Sequence, residues 1–190
     1  MDKAYFEDKI FNGTEQEISA LIAGDYEHCT FNNCDLSGTV LSGNNFSNCA
    51  FNGCNLSNAK LVKTSFIDIA FKGCKLIGLH FDECNDFLFT AAFEDCILDL
   101  SSFHKLRLKK MLFTNCSMQE VDFEDCDLTN SSFNNCNLAA AIFVNTVLEK
   151  ADFRSAYNYS IDPERNRIKK AKFSMNGIAG LLNKYDIEIE

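Results

Sequence analysis

Residues 31–61 read FNNCDLSGTVLSGNNFSNCAFNGCNLSNAKL, and a phenylalanine or leucine returns in this stretch at every fifth residue. The spacing continues to Phe153, with a single shift of two residues between Phe81 and Leu88. The residues on this spacing, called the centres here, are Phe31, Leu36, Leu41, Phe46, Phe51, Leu56, Leu61, Phe66, Phe71, Leu76, Phe81, Leu88, Phe93, Leu98, Phe103, Leu108, Phe113, Met118, Phe123, Leu128, Phe133, Leu138, Phe143, Leu148 and Phe153. An α-helix repeats at about 3.6 residues and a flat strand at about 2.0 residues, so neither has this period. A chain that turns a corner every five residues does have it.

Four such corners make a square coil of about twenty residues, and centres twenty residues apart should then stack. The columns agree with this expectation. One column contains Phe31, Phe51, Phe71, Phe93, Phe113, Phe133 and Phe153. A column of compact residues, each two positions before a centre, contains Cys34, Cys54, Cys74, Cys96, Cys116 and Cys136. We therefore predict a solenoid with rings and thiols inside, strands paired between coils at about 4.8 Å, and a two-residue insertion at 82–88.

The composition limits the classes of function. The chain has 190 residues and a formal net charge of −9, which argues against a nucleic-acid binder, because such proteins normally present a basic face. The ten cysteines follow the repeat, although Cys84 sits at the shift, and none forms the short pairs of a zinc site. His28, His80 and His104 show no metal-ligating spacing, and no nucleophile or phosphate-binding motif is present. A ring-filled solenoid offers no cleft, so we expect no enzyme, no cofactor and no metal.

The sequence also indicates the cellular compartment of the protein. No run approaches the roughly 18 apolar residues of a membrane span, and the first residues lack the pattern of a signal peptide. Ten cysteines among 190 residues fall short of the density of a disulfide scaffold. We expect free thiols, a reducing compartment, a cytoplasmic location and no membrane contact.

Several segments resemble the motif Ala-(Asp/Asn)-Leu-x-x of the pentapeptide-repeat proteins. They are Cys34-Asp35-Leu36-Ser37-Gly38, Cys54-Asn55-Leu56-Ser57-Asn58, Cys126-Asp127-Leu128-Thr129-Asn130 and Ala151-Asp152-Phe153-Arg154-Ser155. The resemblance covers residues 29–157. It implies an all-β fold, a right-handed quadrilateral β-helix, in a single domain over residues 1–190.

Both ends depart from the regular coils of 29–157. Residues 1–28 keep the spacing weakly, and we interpret them as an N-terminal cap or irregular coil. Thr14-Glu15-Gln16-Glu17 leaves a short helix over 15–22 open as an alternative, because the segment resembles a capping box.

Residues 158–190 are interpreted as a C-terminal cap and dimerisation segment. Ile178, Leu181, Leu182 and Tyr185 fall at i, i+3, i+4 and i+7, which predicts a short C-terminal α-helix with one apolar stripe. Ile187 and Ile189 alternate with acidic residues, as in a strand. The stripe would either cover the open end of the solenoid together with Phe173 or form the seam of a homodimer.

This layout is similar to that of the Qnr-type quinolone-resistance and microcin-immunity proteins, in particular their members without long loops. That resemblance implies a non-enzymatic homodimer, joined through Phe173, Ile178, Leu181, Leu182 and Tyr185. It also implies binding to a type II topoisomerase, DNA gyrase or topoisomerase IV, by DNA mimicry, with protection against quinolones or toxins. The alternative is a pentapeptide-repeat scaffold for an unrelated protein partner.

Acidic residues are the candidates for the charge contacts with such a partner. They are Asp82, Glu83, Glu94, Asp95, Asp122, Glu124 and Asp125. On the square coil, His104 and Lys105 fall between two of these groups and interrupt the negative stripe. The acidic surface would either mimic DNA for a basic groove or be an ordinary solvated surface.

Overall fold

The structure of the chain, a computed structural model, describes residues 3–14, 23–87 and 89–188. Its corners are made by a left-handed backbone conformation that returns at every fifth residue. Between Lys105 (φ 63°) and Lys150 (φ 60°) each fifth residue has a positive φ. Gly, Asn and Asp take this conformation most readily, which explains their abundance at these positions. The period of five is therefore the distance from one left-handed corner to the next.

The chain forms two parallel sheets along two sides of the coil. The four-stranded sheet contains β1 (Ala4–Glu7), β3 (Gly24–Glu27), β5 (Asn45–Ser47) and β7 (Ser65–Ile67). The seven-stranded sheet contains β2 (Ile10–Phe11), β4 (Thr30–Asn32), β6 (Ala50–Asn52), β8 (Ile69–Lys72), β9 (Ala91–Glu94), β10 (Leu112–Thr114) and β11 (Ser132–Asn134). The sides that carry these sheets are the first and the second face, respectively.

Parallel bridges of single residues complete two further sides. The third face is marked by the bridges from Asp35 to Asn55 and from Ile97 to Ser117. The fourth face is marked by the bridges that join His80, Ser102 and Asp122. Four sides with parallel pairing throughout confirm the predicted all-β quadrilateral solenoid.

The register between coils is twenty residues on either side of one exception. Phe31 pairs with Phe51 and Phe51 with Phe71, whereas Phe71 of β8 pairs with Phe93 of β9, twenty-two residues on. The two extra residues lie beside a 3-10 turn at Phe81–Glu83, in the segment that precedes β9. The predicted centre Leu88 is outside the described residues. Phe89 is buried, with its ring centroid 6.3 Å from that of Phe66 and 5.9 Å from that of Phe81.

Aromatic rings stack along the axis, as the columns predict. On the second face the ring centroids of successive coils lie 4.6–5.4 Å apart, in a column that runs from Phe11 to Phe173. Rings of different columns meet edge to face, for example Phe93 and Phe103 at 6.1 Å. Each centre is therefore buried by the coils before and after it rather than by its own coil.

The N-terminal residues join both sheets. Phe6 stacks on Tyr26 at 4.7 Å and Phe11 stacks on Phe31 at 4.8 Å, because β1 and β2 pair with β3 and β4 in the regular register. The alternative helix over 15–22 lies outside the described residues.

The predicted C-terminal α-helix is wrong. The segment instead forms two 3-10 turns, Ile178–Leu181 and Asn183–Tyr185, and Asp186 has a left-handed backbone. Two glycines lower the helix propensity of this short stretch. A side chain at Gly180 would collide with the carbonyl oxygen of Tyr159, and the N–H of Ile161 donates to the carbonyl of Gly180 at 2.9 Å. Contact with the solenoid thus decides the local conformation. Of the predicted strand residues, Ile187 lies outside any strand and Ile189 is outside the described residues.

All ten cysteines are free and buried, as predicted. A thiol typically donates to a phenylalanine carbonyl of the preceding coil, as Cys54 does to Phe31 and Cys74 to Phe51, both at 3.2 Å. Burial raises the pKa of Cys49 to about 11 and the pKa of Cys126 to about 12. The unfolded thiol has a pKa of about 8.5. Since the folded pKa is the higher one, this contribution to stability is complete below pH 8.5 and is lost as the pH rises through 11 to 12.

The stacked core predicts the effect of removing a ring. Phe113 is fully buried, and its ring lies 5.2 Å from that of Phe93 and 5.1 Å from that of Phe133. Phe113→Ala should lower the free energy of unfolding by about 3–5 kcal/mol, because it leaves a cavity inside the stack. Urea denaturation measures the change. Leu112→Ala, at a residue that is 46% exposed, is the matched control and should stay within about 0.5 kcal/mol. Equal effects of the two substitutions would contradict the stacked core.

Burial of the thiols predicts their reactivity. At pH 8 an aromatic disulfide reagent should leave all ten cysteines of the native protein unlabelled, because the thiolate is the nucleophile and each thiol is inside the solenoid. All ten should react after unfolding in denaturant. Asn130→Cys, at an exposed corner, should react at once and serves as the positive control. Rapid labelling of any native thiol would show that the wall of the coil opens.

Candidate functional site

Five of the seven predicted acidic contacts lie together on the fourth face. They are Asp82, Glu83, Asp122, Glu124 and Asp125. Asp82 and Glu124 directly follow the centres Phe81 and Phe123, so both project beside the same column. Asp125 has a φ of 58° and occupies a corner, where its side chain is exposed. We call these five residues the acidic cluster.

The other two predicted contacts lie elsewhere. Glu94 is the last residue of β9, on the second face, and its carboxylate lies 3.2 Å from the ammonium of Lys72. Asp95 forms the adjoining corner and accepts a hydrogen bond from the amide of Asn115 at 3.0 Å. The second and fourth faces are separated by the third along the chain, so they are opposite sides of the coil. The predicted set is therefore divided between two faces.

Basic side chains interrupt the acidic cluster, as the sequence predicts. Lys105 is exposed at the corner of the intervening coil, between Glu83 and Asp125. Its backbone N–H donates to the carbonyl of Glu124 at 3.0 Å, which fixes the order of the corners. The ammonium therefore offsets part of the negative charge at the edge of this face.

A histidine lies beside the same carboxylates. A ring nitrogen of His104 and one carboxylate oxygen from each of Asp122 and Glu124 lie within 4.8 Å of one another. Within the described residues this is the one group of three side chains with the donor atoms and proximity for a metal ion. Short spacings along the sequence give no sign of it, because the residues meet only across a coil of twenty. The signal that could have found it is the twenty-residue interval between His104 and Glu124.

The five residues of the predicted dimer seam do not share one environment. Phe173 stacks on Phe153 at 5.4 Å, and with Leu181 it packs against the core as part of a cap. Leu182 is half-buried. Ile178 and Tyr185 are 45% and 53% exposed. The cap and the exposed apolar surface are thus two sides of one segment.

Ion pairs hold this segment to the last coil. The ammonium of Lys184 lies 2.8 Å from Asp162 and 2.7 Å from Glu164. Its proximity lowers the pKa of both carboxyls, and they in turn raise the pKa of Lys184. The hydroxyl of Tyr185 donates to Glu164 at 3.1 Å. These contacts fix the segment against Asp162 and Glu164.

Helices with the length and hydrophobicity that crossing a bilayer requires are absent from the described part of the chain.

Among solved structures, the chain is similar to a trypsin-treated form of QnrB1, a plasmid-mediated fluoroquinolone resistance protein. The TM-score is 0.60 at 17% sequence identity, over 100% of both chains. It is also similar to HetL, a pentapeptide-repeat protein involved in heterocyst differentiation regulation in the cyanobacterium Nostoc. Here the TM-score is 0.45 at 15% identity, over 90% of this chain and 86% of that one. At these identities the similarity concerns the fold. No curated protein sequence matches this chain significantly.

The family model described as "Pentapeptide repeat region" matches residues 25–87 and 86–176. The two matched segments meet where the register changes from twenty to twenty-two residues, so the model and the structure divide the repeats at the same place. Left-handed corners at intervals of five, stacked centres and this match agree. The chain belongs to the pentapeptide-repeat family.

Proposed function

We propose that this chain is a non-enzymatic interaction module that binds a type II DNA topoisomerase, DNA gyrase or topoisomerase IV, by DNA mimicry. In this proposal the acidic cluster enters the basic groove that normally holds DNA. Protection against quinolones or toxins would follow from a change in the DNA-bound population of the enzyme. Such a partner and ten free thiols both fit the cytoplasm.

The charge density of the fourth face is the observation that carries the proposal. B-form DNA has about one negative charge per 1.7 Å of axis. The net charge of −9, spread over the eight coil spacings from Phe11 to Phe173, gives only about one charge per 4 Å at about 4.8 Å per coil. The five carboxylates of the acidic cluster, less the ammonium of Lys105, leave a net charge of −4 over two spacings, or one charge per about 2.4 Å. This part of the fourth face is therefore denser in negative charge than the average of the rod and lies nearer to the density of DNA.

Two further features support the proposal. The described coils form a rod whose rings stack throughout, so little ordering entropy would be lost on binding. The fold is similar over its whole length to that of QnrB1, whose description names fluoroquinolone resistance. Glu94 and Asp95 point away from the acidic cluster, so we assign them no part in the same contact.

Charge neutralisation on the two faces tests the proposal. The double variant Glu83→Gln with Asp125→Asn removes two exposed carboxylates of the acidic cluster. It should raise the concentration needed for half-inhibition of gyrase supercoiling by about 5- to 30-fold, since each exposed charge contributes up to about 1 kcal/mol. The control, Glu94→Gln with Asp95→Asn, removes the same number of negative charges. It should change that concentration less than about twofold.

The salt dependence of inhibition and the activity of the wild-type protein provide further tests that could contradict the proposal. Inhibition by mimicry should weaken steeply as ionic strength rises, because exposed charges are screened. Equal effects of the two double variants would indicate unspecific attraction rather than a docked face. A wild-type protein that, at micromolar concentration, neither inhibits gyrase nor protects it from a quinolone would overturn the proposal and favour a scaffold for another partner.

We also propose that the C-terminal segment joins two copies of the chain. Phe173 and Leu181 form the base of the contact, while Ile178, Leu182 and Tyr185 form its surface. Exposed apolar groups next to a sheet end are a common mark of an interface. Met175 and Ile187, 83% and 56% exposed, are further exposed apolar residues of the same segment.

Sedimentation equilibrium tests the dimer. The wild-type protein should sediment as a dimer at tens of micromolar, and Ile178→Lys should shift it to monomer, because a charge would be buried in the seam. Ile142→Lys is the matched control, since Ile142 is also 45% exposed but lies on the fourth face. It should leave the mass unchanged. A monomeric wild-type protein would refute the dimer and leave the segment as a cap alone.

A further inference from the structure

The group formed by His104, Asp122 and Glu124 joins two adjacent coils. His104 and Glu124 each follow a centre of the fourth face, Phe103 and Phe123, so they lie one above the other. Asp122 precedes Phe123 and pairs through its backbone with Ser102, two residues before His104. The donor atoms of the three side chains lie within 4.8 Å of one another. All three side chains are half-buried, so the group lies in the wall of the rod rather than at the end of free side chains.

One ring nitrogen of this group makes no hydrogen bond. The Nδ1 of His104 is buried and has no hydrogen-bond partner, an arrangement that lowers stability unless another partner takes its place. In the coil before, the buried Oδ1 of Asp82 likewise makes no hydrogen bond, although it lies 3.4 Å from the Nδ1 of His80. Two unpaired polar atoms therefore lie in one column of this face.

A hydrogen bond holds the carboxylate of Asp122 in place. The Oδ1 of Asp122 accepts a hydrogen bond from the N–H of Glu124 at 2.8 Å, which fixes the carboxylate plane and leaves its second oxygen available. Hydrogen bonds of this kind orient metal ligands. The thiol of Cys126 is directed inward and donates to the carbonyl of Phe103 at 2.8 Å, so sulfur takes no part.

We propose that His104, Asp122 and Glu124 form a binding site for a divalent first-row transition metal ion such as Zn²⁺. An imidazole with two carboxylates suits zinc or its neighbours, whereas calcium and magnesium sites are built from oxygen alone. Ligands on one such ion, at about 2.1 Å from it, are separated by about 3–3.5 Å. In this proposal the side chains move from their present separation of up to 4.8 Å to that distance when the ion binds, and a water molecule completes the coordination.

The ion would link two coils and favour the folded state. It would bridge the coil of His104 to the coil of Asp122 and Glu124, which the unfolded chain cannot do. At a free Zn²⁺ concentration of 100 times its Kd, the folded state gains at most about 100-fold over the unfolded one, because the ten thiols exposed on unfolding also bind the ion. The site does not depend on the proposed topoisomerase partner, because its test needs only the protein and the metal.

Isothermal titration calorimetry of the full chain with Zn²⁺ alone is the test, with thermal unfolding in the presence and absence of the ion as a second readout. The wild-type protein should bind one ion and unfold at higher temperature with it. His104→Asn and Glu124→Gln should each weaken binding by at least about tenfold and abolish the thermal shift. His28→Asn, at an exposed corner histidine outside the group, should bind as the wild-type protein does.

Two kinds of outcome, no binding and binding elsewhere, overturn the site. One is the absence of Zn²⁺ binding by the folded wild-type protein. The other is binding that neither substitution weakens, or a Co²⁺ spectrum with a thiolate charge-transfer band, which would place the ion on cysteine. Should His104→Asn fail to fold, Glu124→Gln decides alone, because its side chain keeps the size of the original.

Discussion

Contact between a ring and the equivalent ring of the next coil is the interaction on which the rest of the structure depends. No coil has enough inner surface to bury its own centres, so Phe113 is covered by Phe93 on one side and Phe133 on the other. The stack requires equal coils, and equal coils require a corner at every fifth residue. The left-handed residues, the paired backbones and the inward thiols all satisfy that single requirement.

The regular coils could be predicted from the sequence because the same interaction is repeated along the chain. A column such as Phe31, Phe51 and Phe71 is visible as a period, and the shift before Phe93 is visible as a break in it. The C-terminal segment has no such repetition. Helical spacing there competes with contacts between Gly180 and Tyr159 or Ile161, which depend on the finished solenoid and which the sequence does not reveal.

The candidate site could likewise be predicted from the sequence only in part. Counting positions along the coil places Asp122, Glu124 and Asp125 on one face. The same count places Lys105 within the acidic cluster. Glu94 and Asp95 share only their charge with these residues, because the count places them on another side. The group of His104, Asp122 and Glu124 has the spacing of the coil itself, and its significance depends on side-chain proximity and on an unpaired Nδ1.

The constant register has an evolutionary consequence. A duplication of one complete coil adds one interface, between the coil and its copy, and reproduces every interface already present, so the rod can be lengthened in whole steps. Deletion of one complete coil brings its two neighbours together in the same register and leaves the other interfaces unchanged. The twenty-two-residue coil shows that a surplus is absorbed where it arises, because Phe93 and Phe113 resume the usual interval. Genes for such rods can therefore grow or shrink by recombination in units of one coil.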